Sequence, residues 1–229
     1  PDAFQTLDGL IALAAERDLR LIVTLNDLPD LYIRPLYTDW ARYDAQTAFI
    51  INRYRNEPAI MAWDLRNEGD LDYGADSEEQ RFEQETVLNW LAHTAELVRG
   101  RDPNHLITTG WWGDPSPTAR WVDFVSFHHW TTADELRTRI TTLQQRTSQP
   151  ILIEEAGFPS WGENGEALQA QILHNMTTVA EESGTAGWLI WSAFDFTPAP
   201  DQPVTSEHCF GLWRTNLTPK PVLQNLPHI

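Results

Sequence analysis

Cysteine, positive charge and long apolar runs are all scarce in this sequence of 229 residues. A single cysteine, Cys209, excludes an intramolecular disulfide and a cysteine-rich zinc site. The longest apolar runs are short, as at Leu21–Leu25, whereas a membrane helix needs about 18 residues. Sixteen Lys and Arg against 33 Asp and Glu give a net charge of −17, which would repel a phosphate backbone. We therefore expect neither membrane insertion nor a nucleic-acid partner.

Motifs that bind cofactors or metals are missing as well. Neither G-x-G-x-x-G nor G-x-x-x-x-G-K-[ST] occurs, so the sequence lacks the glycine-rich turns that hold nucleotides. His128, His129 and the scattered carboxylates lack the spacing of a zinc-binding helix or of a calcium loop. The sequence therefore predicts no metal site and no cofactor.

Tryptophan, in contrast, is abundant, with 11 residues in the chain. A protein core seldom needs so many indole rings, because their bulk and their N–H group make complete burial difficult. We expect some of them to line a surface that binds flat, apolar faces. Sugar rings and protein partners both offer such faces, whereas the acidity of the chain argues against nucleobases.

Strand-like and helix-like segments alternate along the whole chain. This alternation predicts an α/β fold with parallel strands, and no linker divides the chain into two domains. A doubly wound sheet would carry a glycine-rich turn after its first strand, whereas a barrel collects its functional groups where several strands end. The barrel is therefore favoured. The predicted strands are 19–25, 59–65, 106–110, 122–127, 151–154 and 186–191, and the predicted helices are 4–17, 43–54, 77–99, 134–146 and 166–182.

Polar and aromatic residues follow the carboxyl ends of these strands, as expected for an active site at one rim of a barrel. Two of them, Glu68 and Glu155, come from strands far apart in the chain. A pair of carboxyl groups is the minimum apparatus for cleaving a glycosidic bond, because one protonates the leaving oxygen while the other attacks the anomeric carbon. Crowding and burial can give two such groups different proton affinities and hence different roles.

Four motifs carry a resemblance to a known family. The stretch RYRNEPAIMAWDLRNE at residues 53–68 resembles the fourth strand of the clan A retaining β-glycosidases, and PILIEEAG at residues 150–157 is similar to their seventh. Residues 122–130 resemble the sixth strand and residues 187–191 the eighth. The relatives indicated are glycoside hydrolase family 5, the cellulase and mannanase family, and the catalytic barrels of family 2.

The resemblance implies a role for each site residue. Glu68 is the general acid/base and Glu155 the nucleophile, and Asn67 would hydrogen-bond the 2-hydroxyl of the sugar. His128 and Trp130 would shape the floor near the nucleophile, and Trp191 would stack on the sugar ring. Neighbouring residues on a strand face opposite ways, which favours Glu155 over Glu154 unless a bulge resets the alternation.

Other residues have two interpretations each. Trp111, Trp112 and Trp161 are candidates for substrate subsites or for packing at the rim. Asp64 and Arg66 share a strand face, which favours a structural ion pair, and Asp195 would reach a sugar hydroxyl or cap a turn. The tryptophans inside the predicted elements are expected in the core, namely Trp63, Trp90, Trp121 and Trp188.

The resemblance implies a TIM (β/α)8 barrel in which residues 1–229 form a single domain that lacks the first two strands in this chain. The expected activity is retaining hydrolysis of a neutral β-linked glycan, with a carbohydrate as the partner. The alternative is a non-catalytic barrel remnant that binds carbohydrate, and a doubly wound protein with another ligand is third. Because the chain opens without methionine or a signal-peptide pattern, the compartment stays open; we expect a soluble protein, and a secretion signal would lie outside this chain. The sequence does not predict the oligomeric state.

Overall fold

The computed structural model describes residues 2–27, 35–73, 82–162, 165–224 and 226. The chain divides into two compact units, Pro1–Ser126 and Phe127–Ile229. Helices and strands alternate in both units, which confirms the predicted α/β organisation. In the described part of the chain, no helix combines the length and the apolar character needed to cross a membrane.

The first unit contains a three-stranded parallel sheet in the order β1–β2–β3. Trp63, in the middle strand, is opposite Val23 on one side and Ile107 on the other, and it is fully buried. Its indole N–H donates to the carboxylate of Asp102 at 2.8 Å, which satisfies the one polar atom of a buried ring. The elements of this unit are α1 (Asp2–Glu16), β1 (Leu21–Thr24), α2 (Trp40–Tyr54), β2 (Ile60–Asp64), α3 (Gln84–Arg99), β3 (Leu106–Thr108) and β4 (Gly110–Trp111).

Helices α2 and α3 pack together through buried faces with helical spacing. Every third or fourth residue of α2 is buried, and α3 repeats the pattern. This periodicity is local in the sequence, and it explains why the helical segments were predictable. The buried residues are Tyr43, Thr47, Ile51 and Tyr54 in α2 and Val87, Trp90, Leu91, Thr94, Ala95 and Val98 in α3.

Strand β5 (Val125–His129) begins at the end of the first unit and continues into the second, where β6 (Ile151–Ala156) and β7 (Gly187–Ile190) follow it in the sheet. Helix α4 begins with a capping box, in which Thr132 Oγ1 accepts from the backbone N–H of Glu135 and the Glu135 carboxylate accepts from the backbone N–H of Thr132. The remaining elements are α4 (Ala133–Arg146), β6 (Ile151–Ala156), α5 (Gly165–Glu182) and β7 (Gly187–Ile190).

Several predicted boundaries differ from the structure. The helix expected over 77–99 begins at Gln84, because Glu83 has extended backbone; its predicted part at 77–81 lies outside the described residues. The strand expected over 106–110 is interrupted at residue 109. The strand expected over 122–127 begins at Val125, because Asp123 bonds to the backbone of Ile107 through its own N–H and its carboxylate.

Candidate active site

Glu68 lies in the turn that follows β2, and its backbone is left-handed. Its φ and ψ are 50° and 36°, a region that residues other than glycine rarely adopt and that is often found at functional sites. Backbone hydrogen bonds fix the turn from both sides: the Asn67 N–H donates to Asn26 O at 3.1 Å, and the Glu68 N–H donates to Gly110 O at 2.6 Å. The side-chain amide of Asn67 donates to Asp27 Oδ1 at 3.2 Å. The turn leaves the Glu68 side chain half-buried.

A buried ion pair lies beneath this turn. Arg66 Nη2 is 3.2 Å from Asp72 Oδ2, and the two side chains are only 6% and 5% exposed. The hydroxyl of Tyr37 donates to the same carboxylate oxygen at 2.5 Å, and Arg66 Nη1 donates to Asn26 O at 3.2 Å. Burial, together with the charge of Asp72, raises the pKa of Tyr37, so the phenol stays protonated and remains a donor.

The expected ion pair between Asp64 and Arg66 takes a different form. The guanidinium of Arg66 pairs with Asp72, whereas Asp64 Oδ1 accepts from the backbone N–H groups of Arg66 and Gly110, each at 3.1 Å. Asp64 Oδ2 also accepts from Thr24 Oγ1 at 2.9 Å. Asp64 therefore joins the carboxyl ends of β1 and β2 to the first residue of β4, a role that strand parity alone could not reveal.

Asp70 links the turn after Glu68 to the residues that follow β4. Its carboxylate accepts from the backbone N–H of Trp112 at 2.9 Å and from that of Gly113 at 2.5 Å. Burial raises the pKa of Asp70 and outweighs the opposing effect of these two donors. Trp111 is buried, which favours a packing role for it, whereas Trp112 is 44% exposed.

Glu155 lies in a β-bulge of the second unit. Three steps along β6, from Ile153 to Ala156, match only two steps along β7, from Trp188 to Ile190, so Glu154 and Glu155 share one position of the ladder. Bulges of this kind redirect side chains and occur next to active sites. The strict alternation that favoured Glu155 therefore does not hold at this point.

Contact with His128 distinguishes Glu155 from its neighbour. Glu155 Oε2 lies 3.6 Å from His128 Nδ1, and the imidazole is only 1% exposed while the carboxylate side chain is 22% exposed. Glu154 is almost fully buried. The carbonyl of His128 accepts from Arg139 Nη1 at 2.6 Å, and the Arg139 guanidinium lies over the Phe127 ring. Of the two glutamates, Glu155 is thus the more solvent-accessible, and the Arg139 hydrogen bond holds the backbone of its neighbour His128.

Trp130 and Trp191 close around the backbone at Gly157. A Cβ added to Gly157 would lie 2.5 Å from Trp130 Cζ3 and 2.7 Å from the carbonyl oxygen of Trp191, so only glycine fits there. Trp130 also makes an edge contact with Phe210 at 5.5 Å between ring centroids. Trp191 and Trp161 are 42% and 52% exposed as whole residues, so both can contact a ligand.

The sequence analysis did not predict the buried hydrogen-bond network around Lys220. Lys220 is almost fully buried, and its ammonium group donates to Ser160 Oγ at 2.7 Å, Asp195 Oδ1 at 2.8 Å and Cys209 O at 3.2 Å. Asp195 also accepts from the backbone N–H of Gly211, so it joins loops rather than standing free. Lysine is seldom buried unless it is paired, and no motif marks this one in the sequence.

The structure thus gathers the predicted residues into two groups, one in each unit. In the first unit Asn67 and Glu68 lie beside β4, which carries Trp111. In the second unit Glu155 contacts His128, and Trp130 and Trp191 meet at Gly157. Each group contains one carboxylate at the carboxyl end of a parallel strand, the position that barrel enzymes use for chemistry.

Residues 45–142 match the family model described as GH family 5 beta-mannosidase-like. The chain is 30% identical over 125 residues to mannan endo-1,4-beta-mannosidase F of Aspergillus fumigatus, covering 48% of this chain and 27% of that protein. It is 23% identical over 257 residues to mannan endo-1,4-beta-mannosidase 1 of Solanum lycopersicum, covering 82% of this chain and 63% of that protein. The chain therefore spans less than two thirds of the length of these relatives.

Solved structures show the same fold at lower identity. A GH5_18 protein from Streptomyces cattleya, in complex with Manb1-4GlcNAc, matches 97% of this chain and 64% of its own with a TM-score of 0.82 and 18% identity. An endo-beta-1,4-mannanase from Thermotoga petrophila matches 87% of this chain and 55% of its own, with a TM-score of 0.68 and 21% identity. A beta-glucuronidase from an uncultured Clostridium matches 80% of this chain and 35% of its own, with a TM-score of 0.63 and 17% identity. The resemblance predicted from four motifs, to the clan A retaining β-glycosidases of family 5 or the related family 2, is confirmed by the family 5 match and by the mannosidase relatives. The solved structures confirm the (β/α)-barrel fold class that it implies.

Proposed function

We propose that this chain carries the catalytic residues of a retaining O-glycosyl hydrolase that cleaves β-1,4-linked mannosides. Two curated relatives are mannan endo-1,4-beta-mannosidases, and the matching family model is beta-mannosidase-like. One solved structure with the same fold contains a Manβ1-4-linked disaccharide. Mannose units are neutral, which suits a chain whose net charge of −17 would repel an anionic sugar.

The observation that carries the proposal is that two parallel strands each bring one glutamate to their carboxyl end: Glu68 lies in the turn after β2, and Glu155 is the penultimate residue of β6. In the first step Glu68 gives its proton to the leaving oxygen while Glu155 attacks the anomeric carbon and forms a glycosyl ester. In the second step Glu68 takes a proton from a water molecule while the water oxygen bonds to the anomeric carbon. The bond between that carbon and Glu155 breaks, which frees the carboxylate. The retaining route requires the two carboxyl groups about 5–5.5 Å apart.

The surrounding residues receive supporting roles. His128 keeps a buried imidazole beside the Glu155 carboxylate and orients it. Asn67 hydrogen-bonds the sugar 2-hydroxyl, and Trp130 and Trp191 shape the floor and stack on the ring. Trp112 and Trp161 serve outer subsites because they are exposed, whereas the buried Trp111 packs under the turn.

The domain organisation is part of the same proposal: both units contribute to a single glycosidase barrel. The support is that one solved barrel-fold chain matches 97% of this sequence at a TM-score of 0.82. Two independent domains would not be expected to match one neighbour over nearly their full length.

The test compares adjacent glutamates. The protein is assayed for release of reducing ends from β-mannan, cellulose and galactan, together with the matched variants Glu155→Gln and Glu154→Gln. We expect mannan to be hydrolysed and Glu155→Gln to lose at least about a thousandfold in kcat, because it removes the nucleophile. A second variant, Glu155→Gly, should regain turnover with azide and release a mannosyl azide.

Two results would reject the proposal. If the protein bound mannan without releasing reducing ends, it would be a non-catalytic carbohydrate-binding barrel. If a fluorinated mannosyl fluoride labelled Glu154 rather than Glu155, as read by mass spectrometry of the labelled peptide, the assignment of the nucleophile would be wrong.

A further inference from the structure

The turn that carries Glu68 is held by an ion pair that spans it. Arg66 lies two residues before Glu68 and Asp72 lies four residues after it, and their side chains meet at 3.2 Å. The pair therefore closes a short loop of chain around the left-handed residue. Both partners are at least nine-tenths buried, so water does not compete for this contact.

Two further contacts fix the position of the pair. Tyr37, which is 4% exposed, donates its hydroxyl to Asp72 at 2.5 Å from a separate helical turn at residues 35–38. The aliphatic stem of Arg66 lies against Gly69, where an added Cβ would be 2.8 Å from Arg66 Cγ. We call Arg66, Asp72 and Tyr37 the buried cluster. Its charged groups hold the chain on both sides of Glu68.

We propose that the buried cluster positions Glu68 for proton transfer to the leaving group. The proposal rests on the proposed function and deepens it, since it adds positioning residues that act only through Glu68. Left-handed backbone at a glutamate costs free energy, so the turn persists only where surrounding contacts enforce it. Proton transfer also depends on the carboxyl group lying within hydrogen-bond reach of the glycosidic oxygen. Loosening the cluster should therefore impair acid catalysis more than binding or nucleophilic attack.

The experiment compares leaving groups. A dinitrophenyl β-mannoside departs with little help from an acid, whereas a phenyl β-mannoside needs a proton. The ratio of kcat/KM for the dinitrophenyl substrate to kcat/KM for the phenyl substrate reports how well Glu68 acts as an acid. The ratio rises when acid catalysis is impaired, because only the phenyl substrate then reacts more slowly. Because both values come from the same enzyme preparation, the fraction of folded enzyme cancels, which separates positioning from a loss of stability.

The variants are Asp72→Asn and Tyr37→Phe, with Glu68→Gln as the reference. We expect the ratio to rise by about a hundredfold or more in Glu68→Gln, the range typical of lost acid catalysis, by about tenfold in Asp72→Asn and by about threefold in Tyr37→Phe. Tyr37→Phe removes one hydroxyl and leaves the ion pair in place, so it decides the matter if Asp72→Asn does not fold.

Tyr54→Phe is the matched control. Tyr54 is also buried in the first unit, and its hydroxyl donates to the carboxylate of Asp8 at 2.7 Å beside Arg53. This hydrogen bond connects helix α1 to helix α2 and not to the turn that carries Glu68. The ratio of Tyr54→Phe should equal that of the wild type. If Tyr37→Phe and folded Asp72→Asn also keep the wild-type ratio, the positioning role is overturned. If Glu68→Gln keeps it, the proposed function fails instead, which is a distinct result.

Discussion

The first unit contains two clusters of the same three residue types in different surroundings. The buried cluster, Arg66, Asp72 and Tyr37, lies at the carboxyl end of β2 with its charged side chains 6% and 5% exposed. The surface cluster, Arg53, Asp8 and Tyr54, joins α1 to the end of α2, and its charged side chains are each 40% exposed. In both clusters the tyrosine hydroxyl and the arginine donate to one aspartate.

The comparison shows that surroundings, rather than residue types, decide what such a cluster does. In the surface cluster water screens the charges and competes for the hydrogen bonds, so the pair adds little stability. In the buried cluster neither charge can be solvated if its partner is lost, so the geometry is strongly enforced. A buried cluster can therefore hold a strained turn, and a surface cluster cannot.

The largest expected effect comes from removing the aspartate of each cluster. Asp72→Ala leaves the guanidinium of Arg66 buried without its counter-charge, and we expect the free energy of unfolding to fall by about 3–5 kcal/mol. Asp8→Ala leaves Arg53 free to reach water, and its loss should be much smaller. Urea unfolding monitored by tryptophan fluorescence measures both. Equal losses would break the comparison.

A smaller effect is expected at the glycine beside each cluster. Gly69→Ala would place a Cβ 2.8 Å from the stem of the buried Arg66, so we expect overpacking that costs about 1–3 kcal/mol. Gly9 is next to Asp8 within α1 and has nothing within 4 Å of an added Cβ. Gly9→Ala should therefore raise the free energy of unfolding by about 0.5–1 kcal/mol, because alanine restricts the unfolded chain. Urea unfolding midpoints measure the sign of the two changes in the free energy of unfolding. A lower free energy of unfolding in Gly9→Ala would contradict the open space described around Gly9.

The smallest expected effect is the pH dependence of the surface cluster. Hydrogen bonds from Arg53 and Tyr54 lower the pKa of Asp8 below its usual value. As the pH falls below about 4, the unfolded state takes up the proton first, so the stability that Asp8 contributes is present above that pH and is lost as the pH falls through its folded pKa. Asp8→Asn should unfold with a weaker acid dependence than the wild type, and high salt should reduce the difference. Identical acid dependence in the two proteins would show that the contact is not formed in solution.

Local patterns were sufficient for much of the fold. The helix at 134–146 and the strand at 59–65 were predicted almost to their ends, since burial periodicity, capping residues and flanking proline are properties of neighbouring residues. The start of α3 was predicted seven residues too early. An acidic stretch that is compatible with a helix does not reveal at which residue the helix begins, and Glu83 has extended backbone.

The candidate site was predictable to a lesser degree. Motif position located Glu68, Glu155, Asn67 and His128 at strand ends, but it did not reveal the bulge that places Glu154 and Glu155 together opposite β7. Lys220 and Tyr37 were missed entirely. Each is buried against residues from distant parts of the chain, and a single sequence contains no record of such pairings.

The order of strands and helices, the acidity of the chain and the residues that follow each strand were settled by the sequence, because all of them depend on local spacing or on a sum over the chain. Tertiary structure alone decided that Arg66 pairs with Asp72, that Trp111 is buried while Trp112 is exposed, and that Glu68 adopts a left-handed backbone. The physical reason is that burial and the choice of a charged partner depend on which distant segments exclude water from each other.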